Sequence, residues 1–176
     1  MNAGGVKTIE WAGASYRTAI FKAPAGGRVQ VFALGLEGDT QVDRRFHGGP
    51  AKAVYAYPSE HYAFWRERLA SDDLGWGAFG ENLTTGGVDE ESVRAGDRFR
   101  AGSCVLEITK PRQPCVKLAG KFDRADIIDL FTGSGRCGFY LSVAREGAVA
   151  AGDAFERIAR GPEGPSIAEV FRRKRR

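Results

Sequence analysis

Short segments of alternating or continuous apolar residues, separated by glycine-rich turns, run along most of the chain. Alternation with a period of two puts successive side chains on opposite faces, as in a half-buried β-strand. Many such segments at modest spacing are typical of an antiparallel barrel or sandwich. The predicted strands are 16–22, 28–34, 52–57, 97–101, 103–109, 138–143 and 154–158. We expect the first two to pair as a hairpin through 23–27.

Helices are predicted to be few, short and peripheral. Apolar positions spaced three and four residues apart predict a helix over 58–69, with a proline in its first turn. A second helix is expected after Pro114, a third over 125–131 and a fourth from Ser166. Ser166 and Glu169 have the spacing of a capping box, in which each side chain bonds the other residue's backbone N–H.

One repeated sequence pattern supports a closed arrangement of strands. The spacing of residues 93–99 recurs in residues 149–155, and each stretch contains a Gly-Asp pair that we interpret as a turn leading into a strand. A chain of 176 residues buries roughly 70% of its unfolded surface and forms one ordinary domain. We therefore predict a single domain over 1–165, followed by a C-terminal helix and basic tail over 166–176.

Charge limits the classes of partner. The formal net charge is +4, from 26 basic and 22 acidic residues, but all five residues of 172–176 are basic. The rest of the chain has 21 basic and 22 acidic residues, a net charge of −1, so a specific nucleic-acid interface is not expected.

No apolar run is long enough to cross a membrane, and no secretory signal is visible, so we expect a cytoplasmic protein. The apolar side of the last helix leaves a homodimer open.

Two of the three cysteines are predicted to be structural. An odd number of cysteines at spacings of eleven and twenty-two does not suggest a disulfide framework or a zinc site. Cys104 and Cys137 each alternate with large apolar residues on one face of a predicted strand, and free cysteine is among the most buried residue types. Both are therefore expected in the core.

Cys115 lies in a different setting, between two prolines and an expected helix. Three cations lie within five residues of it, namely Lys110, Arg112 and Lys117. If Pro114 opens the helix, Cys115 lies in its first turn, and a helix amino terminus and nearby cations are two means of lowering a thiol pKa. Cys115 is thus a candidate thiolate for nucleophilic attack, persulfide formation or ligation of a soft metal. A buried cysteine in a turn would explain the prolines equally well.

Two glycine-rich segments are candidate ligand loops. In residues 43–52, His47 precedes two glycines and Lys52 follows them. This arrangement suits either an anion-binding loop or a histidine that only makes hydrogen bonds within a turn. In residues 75–87, glycines surround Asn82 and two threonines. This second segment lacks the Lys-Ser/Thr pair of a nucleotide phosphate loop.

Together and in order, six segments resemble the MOSC domain, which is named for the carboxy-terminal part of molybdenum-cofactor sulfurases. They are 35–39, 47–50 continuing to 58, 79–84, 96–97, 111–115, and 138–140 continuing to 153. The resemblance covers about residues 15 to 160 and extends to stand-alone bacterial MOSC proteins implicated in detoxifying N-hydroxylated base analogues. It implies a mostly β, barrel-like fold with a few short peripheral helices.

The resemblance also implies a cofactor and a site. Cys115 matches the family cysteine proposed to bind molybdenum or carry sulfur. The molybdenum cofactor, molybdopterin, is a pterin dithiolene with a phosphate, so its site needs cations and polar donors. The expected cofactor contacts are Lys52, Asn82, Arg112 and Arg136. His47 is expected to act as a proton donor, and no pyridoxal phosphate is expected in this chain.

Three functions follow as hypotheses. The first is a small reductase of N-hydroxylated small molecules, with Cys115 as molybdenum ligand and an external electron-donor protein. The second is a sulfur carrier that receives sulfur from a donor protein as a Cys115 persulfide and delivers it to a metal-sulfur assembly. The third is a storage or partner-binding module that uses the basic tail. A hydrolase built on Cys115 and His47 ranks last, because no third orienting residue is visible. The resemblance to the MOSC family leads us to expect threonine at position 137. Cys137 would there either resolve a persulfide on Cys115 or fill the core.

Overall fold

The structure, a computed structural model of the chain, describes residues 1–43 and 48–173. Its strands mostly follow one another in runs, and four short α-helices lie between or after these runs. The strands are β1 (Asn2–Ala3), β2 (Lys7–Trp11), β3 (Ala14–Thr18), β4 (Ala23–Pro24), β5 (Arg28–Phe32), β6 (Gly35–Leu36), β7 (Val54–Pro58), β8 (Leu83–Thr85), β9 (Arg98–Ala101), β10 (Cys104–Pro111), β11 (Phe139–Arg145), β12 (Gly147–Ala150) and β13 (Phe155–Ala159). The α-helices are α1 (His61–Leu69), α2 (Val116–Phe122), α3 (Ile127–Ser134) and α4 (Ile167–Arg173). A 3-10 turn covers Pro50–Lys52.

The main sheet has six strands and curls into a half-barrel. Its order is β13-β9-β10-β11-β7-β8, and its pairs are antiparallel except β7 with β8. A three-stranded sheet of order β12-β5-β6 and two two-stranded ribbons, β1 with β4 and β2 with β3, complete the strand pairing of the described residues. The predicted mostly β, barrel-like fold with short helices is confirmed.

The core lies on the inner face of the half-barrel and under the helices. On β10, Cys104, Leu106 and Ile108 are buried, as their alternation predicts. Cys137 is also buried, just before β11. The predicted structural role of these two thiols agrees with that burial, which raises the pKa of both and keeps them protonated.

An aromatic cluster fixes α1 and α3 to the sheet. Tyr57 on β7 stacks on Phe79, with ring centres 4.7 Å apart, and Trp65 of α1 stacks on Phe131 of α3 at 5.9 Å. The Trp65 indole N–H donates to the Tyr57 hydroxyl over 2.6 Å. That hydroxyl in turn donates to the carbonyl of Arg136 over 3.0 Å. The buried polar groups of the cluster are thereby paired, as low-dielectric surroundings require.

The two Gly-Asp pairs form matching turns, as predicted. Gly96 and Gly152 have φ of 88° and 89°, the left-handed region that favours glycine. In each turn the aspartate carboxylate accepts the backbone N–H three residues earlier: Asp97 from Arg94 at 3.3 Å, and Asp153 from Ala150 at 2.8 Å. The strands that follow, β9 and β13, pair with each other.

The predicted hairpin between the first two segments is wrong. Segment 16–22 is a strand only to Thr18, and β3 pairs with β2, whereas β5 pairs with β12 and β6. The β2–β3 turn, Ala12 and Gly13, has positive φ at both residues, the geometry of a tight hairpin turn. Residues 23–27 contribute β4, which pairs with β1.

Two predicted helix boundaries are wrong and one capping motif is confirmed. The third helix, predicted over 125–131 with a stop at Gly133, covers Ile127–Ser134 and ends at Gly135, whose φ is 72°. Pro58 ends β7, and α1 begins at His61, because the backbone up to Pro58 pairs with Thr85 of β8. At the start of α4 the predicted capping box is present: Ser166 N–H donates to the Glu169 carboxylate at 2.8 Å, and Glu169 N–H donates to the Ser166 hydroxyl at 3.2 Å. Among the described residues, no helix is both long and apolar enough to cross a bilayer.

Candidate functional site

Cys115 stands at the junction between β10 and α2. Pro111 ends β10, and the helix begins at Val116, so Cys115 is the residue just before the helix rather than part of its first turn. Its backbone is extended, with φ −145° and ψ 170°, and its carbonyl accepts the N–H of Leu118 at 2.8 Å. The thiol is half-buried, which leaves it accessible from the surface.

Cys115 lines a cavity of about 90 Å³ that opens toward solvent. Charged and amide side chains dominate its polar lining: Lys22, Asp39, Gln41, Asp43, Lys52, Asn82, Arg112 and Lys117. A wider depression shares part of this wall and extends it to Ser15, Tyr16 and Arg17 on β3. The narrow cavity and the depression share Gln41, Val42, Asp43 and Lys117, so this face has the concave form usual for a small-molecule site.

Arg112 is the most deeply buried cation of the cavity, with 5% of its surface exposed. Its guanidinium carbon lies 5.2 Å from the centre of the Tyr55 ring and 5.1 Å from that of Phe131. Its Nη1 atom is buried and has no hydrogen-bond partner among the described residues. An unpaired buried donor costs about 1–3 kcal/mol, so such an atom calls for an acceptor.

The charge of Arg112 is retained in spite of its burial. Burial alone opposes the charge, but interactions with neighbouring polar side chains, Tyr55 and Tyr140 first among them, keep the pKa of Arg112 above its ordinary value. Cys115 contributes to the same effect. Arg112 therefore supplies a permanent positive charge to the cavity that Cys115 also lines, and this charge favours the binding of anions there.

A buried ion pair forms another part of the wall. The Lys22 ammonium contacts the Asp39 carboxylate, and Asp39 also accepts the backbone N–H of Gly4 at 3.0 Å. The Asn82 side chain donates to Asp39 at 2.8 Å and accepts the backbone N–H of Tyr55 at 3.0 Å. Asn82 thus ties the loop after β6 to β7, and its amide is engaged within the protein.

In the glycine-rich segment 75–87, the loop donors bind the carboxylate of Glu81, a residue of the same segment. The buried Glu81 carboxylate accepts the backbone N–H groups of Gly77 at 2.7 Å and Phe79 at 3.1 Å, and the hydroxyl of Thr84 at 3.0 Å. The Tyr62 hydroxyl donates to it as well. Since the donors of this loop surround Glu81, the segment organises the cavity wall instead of holding a phosphate.

The structure brings four of the predicted site residues to one cavity and leaves Arg136 outside it. Lys52, Asn82, Arg112 and Cys115 all line it. Arg136 lies elsewhere, with its guanidinium carbon 3.9 Å from the centre of the Phe64 ring, and is not a cavity residue. His47 lies outside the described residues.

Cys137, the alternative second thiol, is fully buried. Burial raises its pKa well above the usual range, and the nearby Glu90 carboxylate adds to that effect. A thiol held protonated is a poor nucleophile, so Cys137 is suited to filling the core and not to resolving a persulfide on Cys115.

Sequence reasoning missed several cavity residues. Asp39 belongs to one of the six segments noted above, but its partner Lys22 lies in none of them. Tyr55 and Tyr140, from β7 and β11, line the cavity and are held protonated, since burial raises the pKa of both hydroxyls. Lys117 was visible only as a cation near Cys115. The sequence signal that could have found the two tyrosines was the alternation of side chains along β7 and β11, because alternation assigns each residue to one face of the sheet.

The chain is similar to proteins of one family along most of its length. The sequence profile of the MOSC domain matches residues 43–156. The uncharacterized protein YflK of Bacillus subtilis is 45% identical over 167 residues, which are 95% of this chain and 75% of YflK. A protein named "Reductase" from Gibberella moniliformis is 35% identical over 151 residues, 84% of this chain but 27% of that protein.

A solved structure gives the same result for the fold. The crystal structure of YiiM from Geobacillus stearothermophilus superposes with a TM-score of 0.79 at 35% identity, covering 97% of this chain and 78% of that one. The half-barrel and its peripheral helices are thus shared with a solved relative.

Proposed function

The chain belongs to the MOSC domain family, and from that premise we propose that it binds the molybdenum cofactor in the Cys115 cavity and reduces N-hydroxylated small molecules. The observation that carries the proposal is the pairing of Cys115 with Arg112. A soft sulfur ligand and a buried guanidinium with an unpaired Nη1 atom line the same cavity. A metal complex with anionic ligands would satisfy both.

The residues present fit a metal that arrives with its own ligands. Within residues 1–43 and 48–173, no group of three or more His, Cys, Asp or Glu side chains could hold a bare metal ion. Molybdenum in this cofactor is already held by the two sulfurs of the dithiolene, so the protein needs to add only one soft ligand. Cys115 is that ligand in the proposal.

The other cavity residues have distinct proposed roles. Arg112 would donate from Nη1 to an anionic group of the cofactor as a charge-assisted hydrogen bond. Lys52, whose ammonium lies 5.9 Å from the centre of the Tyr140 ring, and Lys117 offset the remaining negative charge. Asn82 holds the wall through Asp39 and Tyr55 and acts by positioning. Arg136 is not included.

The bound cofactor would supply two-electron redox chemistry at the cavity. The overall reaction breaks the substrate N–O bond, consumes two electrons and two protons, and yields an N–H group and water. The electrons come from an external electron-donor protein, for which the half-exposed position of Cys115 leaves an approach. The relative named as a reductase supports this reaction class.

Activity of the purified protein tests the proposal. The wild type, Cys115→Ser and the control Cys137→Thr are purified from a host that makes the cofactor, and reduction of N-hydroxylated adenine by reduced viologen is followed. We expect turnover by the wild type and Cys137→Thr, and a loss of at least about 100-fold in Cys115→Ser.

Releasable sulfur is measured in the same samples. A wild type that is inactive but releases sulfur dependent on Cys115 would overturn the reductase proposal and favour the sulfur carrier. A wild type with neither property would refute both functions.

A further inference from the structure

Lys22 is a cavity cation with no role in the reductase function proposed above, and it is paired with Asp39. Both side chains line the cavity that contains Cys115. They are 8% and 4% exposed, and the ammonium contacts the carboxylate. A buried ion pair is costly unless its geometry is well supported, so its place in a cavity wall invites a functional explanation.

Asp39 is the fixed member of the pair. Its carboxylate accepts the Gly4 backbone N–H at 3.0 Å and the Asn82 side-chain N–H at 2.8 Å in addition to Lys22. Over the described ranges, Asp39 is the one hydrogen-bond acceptor of the Lys22 ammonium. Two of the three N–H bonds of Lys22 therefore remain for a molecule in the cavity.

The charges around Lys22 set its acidity. Burial lowers the pKa of Lys22 below that of an ordinary lysine, while Asp39 and, more weakly, the Glu81 carboxylate oppose the shift. The Lys121 ammonium of α2 is a further charge that interacts with Lys22. A buried ammonium with a lowered pKa gives up a proton more readily than a lysine on the surface.

The buried tyrosines and the arginine of the cavity are poorer donors of a proton. Burial raises the pKa of the Tyr55 and Tyr140 hydroxyls, which keeps their protons in place. Arg112 stays charged at any accessible pH. The reduction proposed above releases the substrate oxygen as water, which requires a proton delivered inside the cavity.

We propose that Lys22 is the proton donor of this reaction and that Asp39 positions it. As the N–O bond breaks, two electrons from a reduced electron-transfer protein enter the substrate, Lys22 protonates the departing oxygen, and a second proton from solvent completes the products. Lys22 then regains its proton from solvent. The inference rests on the proposed reductase function.

Lys22→Arg tests the inference, because arginine keeps the positive charge beside Asp39 but does not release a proton. The control is Lys7→Arg, on an exposed residue of β2. With kcat expressed per bound molybdenum, we expect Lys22→Arg to lose about 100-fold or more in kcat, the usual contribution of a general acid, with KM and molybdenum content close to those of the wild type. Lys7→Arg should match the wild type.

The pH profile separates proton donation from a structural role. Lys22 must be protonated to act, so kcat falls as pH rises through its pKa. In Asp39→Asn the opposing carboxylate charge is lost, the pKa of Lys22 falls further, and the alkaline limb moves to lower pH. Lys22→Arg should lack this limb. A Lys22→Arg enzyme with wild-type kcat, or an alkaline limb unmoved in Asp39→Asn, would overturn the inference.

A measurement without cofactor keeps the two proposals distinguishable. In protein with 13C-labelled lysine, the Cε signal of Lys22 is assigned by its absence in Lys22→Arg and titrated in the wild type and Asp39→Asn. We expect a midpoint below 10.5, the ordinary lysine value, and a lower one in Asp39→Asn. A midpoint at or above the ordinary value refutes the proton donor. A wild type without molybdenum refutes the reductase function instead.

Discussion

At the scale of single residues, the candidate site depends on buried charges that the protein compensates in different ways. Glu81 is surrounded by donors, and Asp39 is paired with Lys22. Arg112 keeps an unpaired Nη1 atom. Glu81 is thus fully engaged in supporting the wall, whereas, in the part of the chain that the structure describes, Arg112 and Lys22 each keep N–H groups for a molecule in the cavity.

Lys121 gives a prediction at this scale. Burial lowers its pKa from 10.5 to about 8, and its ammonium donates to the carbonyls of Ile20 at 3.0 Å and Gly77 at 2.7 Å. Between these two values the unfolded chain binds the proton and the folded protein does not, so folding becomes more favourable as pH rises.

Denaturant unfolding of the wild type and Lys121→Met across this range measures the effect. Relative to the variant, the wild type should gain up to about 3 kcal/mol of unfolding free energy between pH 8 and pH 10.5. A difference between the two proteins that stays constant over the range would contradict the buried, destabilised ammonium.

At the scale of elements, a few glycines decide how closely the strands approach. Gly138 precedes β11 and has φ of 63°. A Cβ atom there would lie 2.4 Å from the carbonyl oxygen of Ala56 on β7, a backbone atom that cannot move aside. Since β7 carries Tyr55 into the cavity, this contact connects sheet geometry with the site.

A pair of glycine substitutions tests this account of the strands. Gly138→Ala should lower the free energy of unfolding by about 2 kcal/mol or more, through a backbone clash and a disfavoured φ. Gly133→Ala, inside α3 where a Cβ meets no atom of residues 1–43 and 48–173 within 4 Å, should raise it by up to about 1 kcal/mol. Equal effects in a urea titration would refute the close approach of β7 and β11.

At the scale of the whole molecule, the cavity forms where distant parts of the chain meet. The β2–β3 hairpin, the loop that carries Asp39 and the start of α2 each contribute part of its wall. Gly120 of α2 packs against the hairpin so closely that an added Cβ would lie 2.7 Å from Ile9. The position of Cys115 is therefore coupled to the hairpin that borders the site.

The sequence predicted local features well and long-range pairing poorly. Alternation placed Cys104 in the core, and the Ser166 capping box and both Gly-Asp turns follow from residues three or four apart. Lys22 meets Asp39 only after the chain folds, and no local pattern encodes that encounter. The failed hairpin over 23–27 has partly the same cause, because one partner of β5 is β12, more than a hundred residues away. The other pairings are local but different from the predicted one: β5 also pairs with β6, and β3 pairs with β2.

The central claim is that Cys115 binds molybdenum brought by its cofactor. The most direct measurement is the ratio of molybdenum to protein, by elemental analysis with phosphorus counted alongside, in the wild type and Cys115→Ser from a host that makes the cofactor. We predict near-stoichiometric molybdenum and phosphorus in the wild type and a loss of most of the molybdenum in the variant. A wild type without molybdenum, or a variant that retains the full amount, would contradict the claim.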